Sequence, residues 1–214
     1  MKILKNKFDK TAINELPIVS FEGKVYTIIS KLEAEHAVRY LMTKSILGFD
    51  TETKPSFKKG RGMNKVALLQ VATENECFLF RLNRIGLPDS LKKLLSDKSI
   101  TKIGLSWHDD INQLQRRESF EAGTFVELQN YVKGFGIEDM ALQKLYANIF
   151  GQKISKSQRL TNWEADNLTE SQQRYAATDA WACVMMYKEL ERLKETGDYV
   201  TDRVEPVDDE DLVV

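Results

Sequence analysis

Hydrophobic periodicity changes character part-way along this chain, and the order of that change narrows the fold more than any single residue does. Three apolar segments of strand length, 46–51, 66–72 and 76–82, lie close enough in sequence to pair as an antiparallel meander. From there the pattern alternates: a helix over 89–96, a strand over 101–106, a helix over 109–118 and a strand over 124–128. A meander continued by α/β units predicts an α/β fold with one mixed, five-stranded sheet flanked by helices. Further helices bracket it. Ser30 and Glu33 form a capping-box pattern ahead of Ala34, Ala37, Val38 and Leu41, which share one helical face. Leu142, Leu145, Tyr146 and Ile149 mark a helix that stops at Gly151, and Thr169 with Gln172 opens a last helix running to about residue 194.

A length of 214 residues, 42% of them hydrophobic, suits one substantial core. Residues 25–197 read as the domain, 1–24 as an N-terminal extension and 198–214 as an acidic, disordered tail. The five acids of residues 205–214 mask a basic body, because outside that segment 31 Lys and Arg face 27 Asp and Glu. Apolar runs such as Val66-Ala67-Leu68-Leu69 fall far short of the roughly 20 residues that span a bilayer. The first residues also lack a signal-peptide core, so the expectation is a soluble, cytoplasmic protein without membrane partners. Nothing in the sequence sets an oligomeric state. Cys77 and Cys183 stand apart with no ligand pattern around them and read as small buried residues. With only His36 and His108 besides, any metal must be held by carboxylates, which favours Mg2+ or Mn2+ over zinc.

Two residue pairs stand out. Asp50 and Glu52, at i and i+2 near the end of a strand entered through Ile46, Leu47 and Phe49, project from one face of that strand. Tyr175 and Asp179, at i and i+4 on the last helix, share a face among small alanines that permit close approach. Either pair alone is compatible with a solvated strand end or an ordinary amphipathic helix.

Together with a third motif they resemble a known family. Gly48-Phe49-Asp50-Thr51-Glu52, then Ile103-Gly104 six residues before Asp110 with Leu114 four after it, then Tyr175-Ala176-Ala177-Thr178-Asp179-Ala180, resembles the DEDDy-type, DnaQ-like 3′-5′ exonucleases. The stretch from Lys156-Ser157-Gln158-Arg159 to Asn162-Trp163-Glu164 is similar to the Werner exonuclease and ribonuclease D-like branch, and the likeness spans about residues 25–193. The resemblance implies a ribonuclease H-like fold and hydrolysis from 3′ ends of DNA or RNA, with release of nucleoside 5′-monophosphates. It further implies that Asp50, Glu52, Asp110 and Asp179 converge on two divalent ions, Mg2+ or Mn2+, while the Tyr175 hydroxyl orients water. Crowded like charges need such cations, which also activate water and neutralise the scissile phosphate. Asp109 adjoins Asp110 and suits the N-cap of the 109–118 helix, so the family register to Gly104 and Leu114 decides for Asp110. His108 reads as a local polar contact.

On the substrate side, no acid occurs between Thr53 and Thr73, whereas Lys54, Lys58, Lys59, Arg61 and Lys65 crowd the loop leaving the first carboxylate strand. Lys58, Lys59 and Arg61, with Lys156 and Arg159 by resemblance, are the candidates for phosphate contacts with a single-stranded or 3′-recessed nucleic acid. Trp163 reads as core. Competing readings are a catalytically silent nucleic-acid-binding adaptor and an endonuclease on the same fold. A nucleotide-binding domain is disfavoured because the chain has no G-x-G-x-x-G after its first strand and no G-x-x-x-x-G-K-[ST].

Overall fold

The computed structural model describes residues 1–56 and 64–203. Its elements run β1 (Lys2–Lys5), β2 (Ile18–Val19), β3 (Lys24–Ile28), α1 (Lys31–Leu41), β4 (Ile46–Thr53), β5 (Val66–Ala72), β6 (Glu76–Phe80), α2 (Leu82–Ile85) and α3 (Asp89–Ser96). They continue with β7 (Thr101–Gly104), α4 (Trp107–Gln115), β8 (Phe125–Glu127), α5 (Leu128–Tyr131), α6 (Leu142–Phe150), β9 (Lys153–Ile154), α7 (Glu170–Thr196) and β10 (Tyr199–Asp202). Both capping boxes form: Ser30 and Glu33 open α1, and Thr169 and Gln172 open α7.

All five expected strands lie in one mixed sheet, and β3 adds a sixth, giving the order β3-β6-β5-β4-β7-β8 among the described residues. The meander is antiparallel, as β4 pairs β5 and β5 pairs β6 in that sense. The pairs β3–β6, β4–β7 and β7–β8 are parallel. The sequence reading misses β3 because this edge strand alternates exposed and half-covered residues with little apolar contrast. It also overruns β6, which stops at Phe80 because Arg81 turns its buried guanidinium to the carbonyls of Ala165 and Asp166.

The folded unit reaches past the expected limits of 25 and 197. β1 pairs in parallel with β10, β2 pairs with β9, and Phe21 is buried in the core with its N–H donating to the Thr178 hydroxyl at 2.9 Å. Residues 1–24 are therefore built into the fold, and 199–202 form a strand where a tail was expected. The rest of the acidic tail, 204–214, lies outside the described residues.

Leu47 and Phe49 of β4 point into a core shared with α1 and α3, while α7 crosses the opposite sheet face. Gly48 lets α7 approach the sheet closely, since a Cβ there would stand 2.0 Å from the carbonyl oxygen of Ala180. Ala176, Ala177 and Ala180 are fully buried along this seam. Gly48→Ala should therefore push helix and strand apart and cost about 1–3 kcal/mol, as overpacking does. Chemical denaturation would show the lower midpoint. Among the described residues no helix is long and apolar enough to cross a membrane.

Candidate active site

Strand alternation fixes the first pair. With Leu47 and Phe49 committed to the far core, Gly48, Asp50 and Glu52 face α7. The regular β4–β5 register ends between Glu52 and Thr53, so the carboxylates sit where the sheet opens. Helix α7 brings Asp179 onto them, and carboxylate oxygens of Asp50, Glu52 and Asp179 lie within 4.8 Å of one another. One turn earlier, the Tyr175 hydroxyl donates to the Asp179 carboxylate. Behind Tyr175 stands Trp163, wholly buried, with ring centroids 6.0 Å apart, so the core reading of Trp163 holds.

Asp110 arrives differently. α4 begins at Trp107, two residues before the expected start, from Ser106 in a left-handed conformation at φ 62°. The cap comes from across the sheet, where the Glu127 carboxylate accepts from the backbone N–H of Ser106 at 2.9 Å and of Trp107 at 2.7 Å. Asp109 is thus the third residue of the helix and exposed, not its cap. Asp110 turns inward and accepts a hydrogen bond from the Thr51 hydroxyl. It stands beside the other three acids, outside their 4.8 Å cluster, yet its charge reaches both Asp50 and Glu52. Sequence reasoning missed Thr51 and Glu127. Alternation does put Thr51 on the face opposite Asp50 and Glu52, the face α4 approaches, whereas nothing local marks Glu127.

Burial pushes every acid of the site toward its protonated form, and repulsion from the other acids adds to it at Asp50 and Glu52. Asp50 is raised well above the ordinary carboxylate range by loss of solvent first, then by the charges of Asp179, Glu52 and Asp110. Glu52 is raised by burial, then Asp179 and Asp110, with Arg159 opposing. Burial raises Asp179 against the lowering effect of the Tyr175 hydrogen bond. Burial carries Asp110 to about 6, with the Thr51 hydroxyl opposing. Tyr175 is displaced above its usual value by burial and the adjoining acids, and its phenol stays neutral at physiological pH.

This acidic donor set fits a hard divalent cation, which would replace the retained protons and relieve the repulsion. Among the described residues the cluster contains no His or Cys. His108 is exposed, while Cys77 and Cys183 are free thiols buried in the core, as their sequence context implied.

Of the candidate phosphate contacts, Arg159 is exposed and close enough for its charge to act on Glu52. Lys156 is exposed in the same turn, its carbonyl accepting from the Arg159 N–H at 3.2 Å. Lys54 pairs with Glu164 at 3.5 Å. Lys58, Lys59 and Arg61 lie outside the described residues.

Comparison with known proteins decides the family. The sequence model described as 3′-5′ exonuclease matches residues 26–195. The chain belongs to this 3′-5′ exonuclease family. Among relatives of the exonuclease domain, the mouse bifunctional 3′-5′ exonuclease/ATP-dependent helicase WRN is 34% identical over 195 residues, covering 86% of this chain and 14% of that protein. The Nibbler EXO domain of Aedes aegypti superposes with a TM-score of 0.75 at 24% identity, over 85% of this chain and 94% of that one. RNase D of Escherichia coli, an exoribonuclease involved in structured RNA processing, superposes with a TM-score of 0.70 at 21% identity, over 81% and 46%. The α/β fold is of the ribonuclease H-like exonuclease type, and the Werner and ribonuclease D-like branch is the one the chain resembles.

Proposed function

We propose that the chain hydrolyses phosphodiester bonds one nucleotide at a time from the 3′ ends of DNA or RNA, releasing nucleoside 5′-monophosphates. The observation that carries this reading is the cluster of half-buried Asp50 and Glu52 with buried Asp179, within 4.8 Å of one another beside Tyr175. A fold used only to bind nucleic acid gains nothing from crowding acids where phosphates must approach. Asp50, Glu52, Asp110 and Asp179 would hold two Mg2+ or Mn2+ ions, which supply an activated water and neutralise charge on the scissile phosphate and leaving oxygen.

The chain's own residues divide the remaining work. Asp179 fixes the Tyr175 hydroxyl, and that neutral hydroxyl orients the attacking water in line with the phosphate, acting as a positioner and not as a base. Thr51 holds the Asp110 carboxylate beside the other acids. Lys156 and Arg159 grip phosphates of the strand entering the site, and the basic side chains of Lys58, Lys59 and Arg61 are further candidates for such contacts. The substrate is a single strand or a recessed 3′ end, because the terminal phosphodiester must reach partly buried acids.

Circular single-stranded DNA separates this reading from an endonuclease. The circle should stay intact under Mg2+ or Mn2+ while its linearised form is consumed. Cutting of the circle would place the chain among endonucleases.

A further inference from the structure

Gln70 is the one polar side chain in β5, a strand buried at all seven positions. It is wholly inaccessible, and neither its Oε1 nor its Nε2 has a hydrogen-bond partner. Leaving both ends of a carboxamide unmet in a closed core is costly, and an apolar side chain of similar volume would avoid that cost. The strand register says what lies beside it. Gln70 stands directly opposite Asp50 in the antiparallel β4–β5 ladder, so both side chains leave the same face, the one α7 covers. On that face Leu79 across β6 and Leu68 and Ala72 two residues away along β5 are apolar, and the Glu52 carboxylate stands on the diagonal in β4. Asp50 is therefore the polar group directly opposed to it by register.

We infer that Gln70 is a positioning residue for Asp50, its amide donating to the Asp50 carboxylate once that group is ionised in the metal-loaded site. The inference rests on the metal-dependent reading above. A carboxamide offers two N–H donors on a short, stiff strand, which suits it to hold one rotamer of an ionised carboxylate. Carboxylates that ligate metals are in turn held by hydrogen bonds, and loss of such a partner typically weakens metal affinity about 10–100-fold. The unmet hydrogen bonds of the metal-free site are then kept because they are used in the loaded one.

The test is calorimetric titration of the full chain with Mn2+ alone, for wild type, Gln70→Leu and Gln70→Met, with the metal-free melting temperature of each. Both substitutions should weaken Mn2+ binding about tenfold or more. Neither should lower the metal-free melting temperature, because each removes two unpaired buried polar atoms. A folded variant that binds Mn2+ within about twofold of wild type overturns the inference, since second-sphere partners act more strongly than that. Loss of folding in both variants overturns it as well, by making Gln70 a structural residue. If wild type itself binds no Mn2+, the metal site is wrong, and this role fails with it.

Discussion

Asp50→Asn is expected to reduce metal-dependent hydrolysis about 10³-fold or more and, in the absence of metal, to raise the melting temperature. The first effect follows from losing a central ligand: metal stabilisation of transition-state charge is worth several kcal/mol, and each ~1.4 kcal/mol is a factor of ten in rate. The second follows from linkage. Asp50, Glu52, Asp110 and Asp179 all have folded-state pKa values raised by burial, so the native state holds protons that the unfolded chain releases. Their contribution to stability is fully present below the unfolded carboxylate value of about 4. It is lost as pH rises through the folded values, a window that passes the Asp110 value of about 6. With chelator present, the wild-type melting temperature should fall between pH 5 and pH 8, and Mn2+ should restore it. In Asp50→Asn the decline should be shallower and the restoration smaller. A scanning-fluorimetry series over pH, with and without Mn2+, measures all three, and a wild-type melting temperature that rises with pH in chelator would contradict the linkage.

Tyr175→Phe is expected to lower kcat about 100-fold, toward the lower end of what a positioned proton-transfer or water-orienting group contributes. KM should change little, because the ring still packs on Trp163 and no phosphate contact is removed. The pH profile carries the sharper signature. Since the Tyr175 hydroxyl lowers the pKa of Asp179, its loss lets burial raise that group further, and activity should require higher pH or more metal than in wild type. Steady-state kinetics across pH at fixed Mg2+ would show the displaced acidic limb. An unshifted profile with unchanged kcat would leave Tyr175 without a part in the chemistry.

How much of this was legible in the sequence depended on whether the governing contact was local. Asp50 and Glu52 could be placed because the alternation with Leu47 and Phe49 is strong, and Tyr175 and Asp179 because helical spacing fixes their common face. Both capping boxes are four-residue patterns and formed as read. Asp110 is different. The true start of α4 depends on Glu127, some twenty residues away and joined through the β7–β8 pairing, so only family register favoured Asp110 over Asp109. The strands β1, β3 and β10 escaped notice for a related reason: they are short, lie at edges and take their order from partners distant in sequence. Gln70 was hidden within an apolar run, where periodicity marks the strand and says nothing of the one residue that breaks its chemistry.

The most direct measurement is digestion of matched DNA and RNA strands, each labelled at the 3′ or the 5′ end, with Mg2+ or Mn2+, comparing wild type with Asp50→Asn and Tyr175→Phe. Wild type should release the 3′ label at once as a mononucleotide and turn 5′-labelled strands into a descending ladder, with both activities lost or strongly reduced in the variants. Strands that are bound but not shortened under either metal would contradict the exonuclease reading and leave a nucleic-acid-binding adaptor in its place.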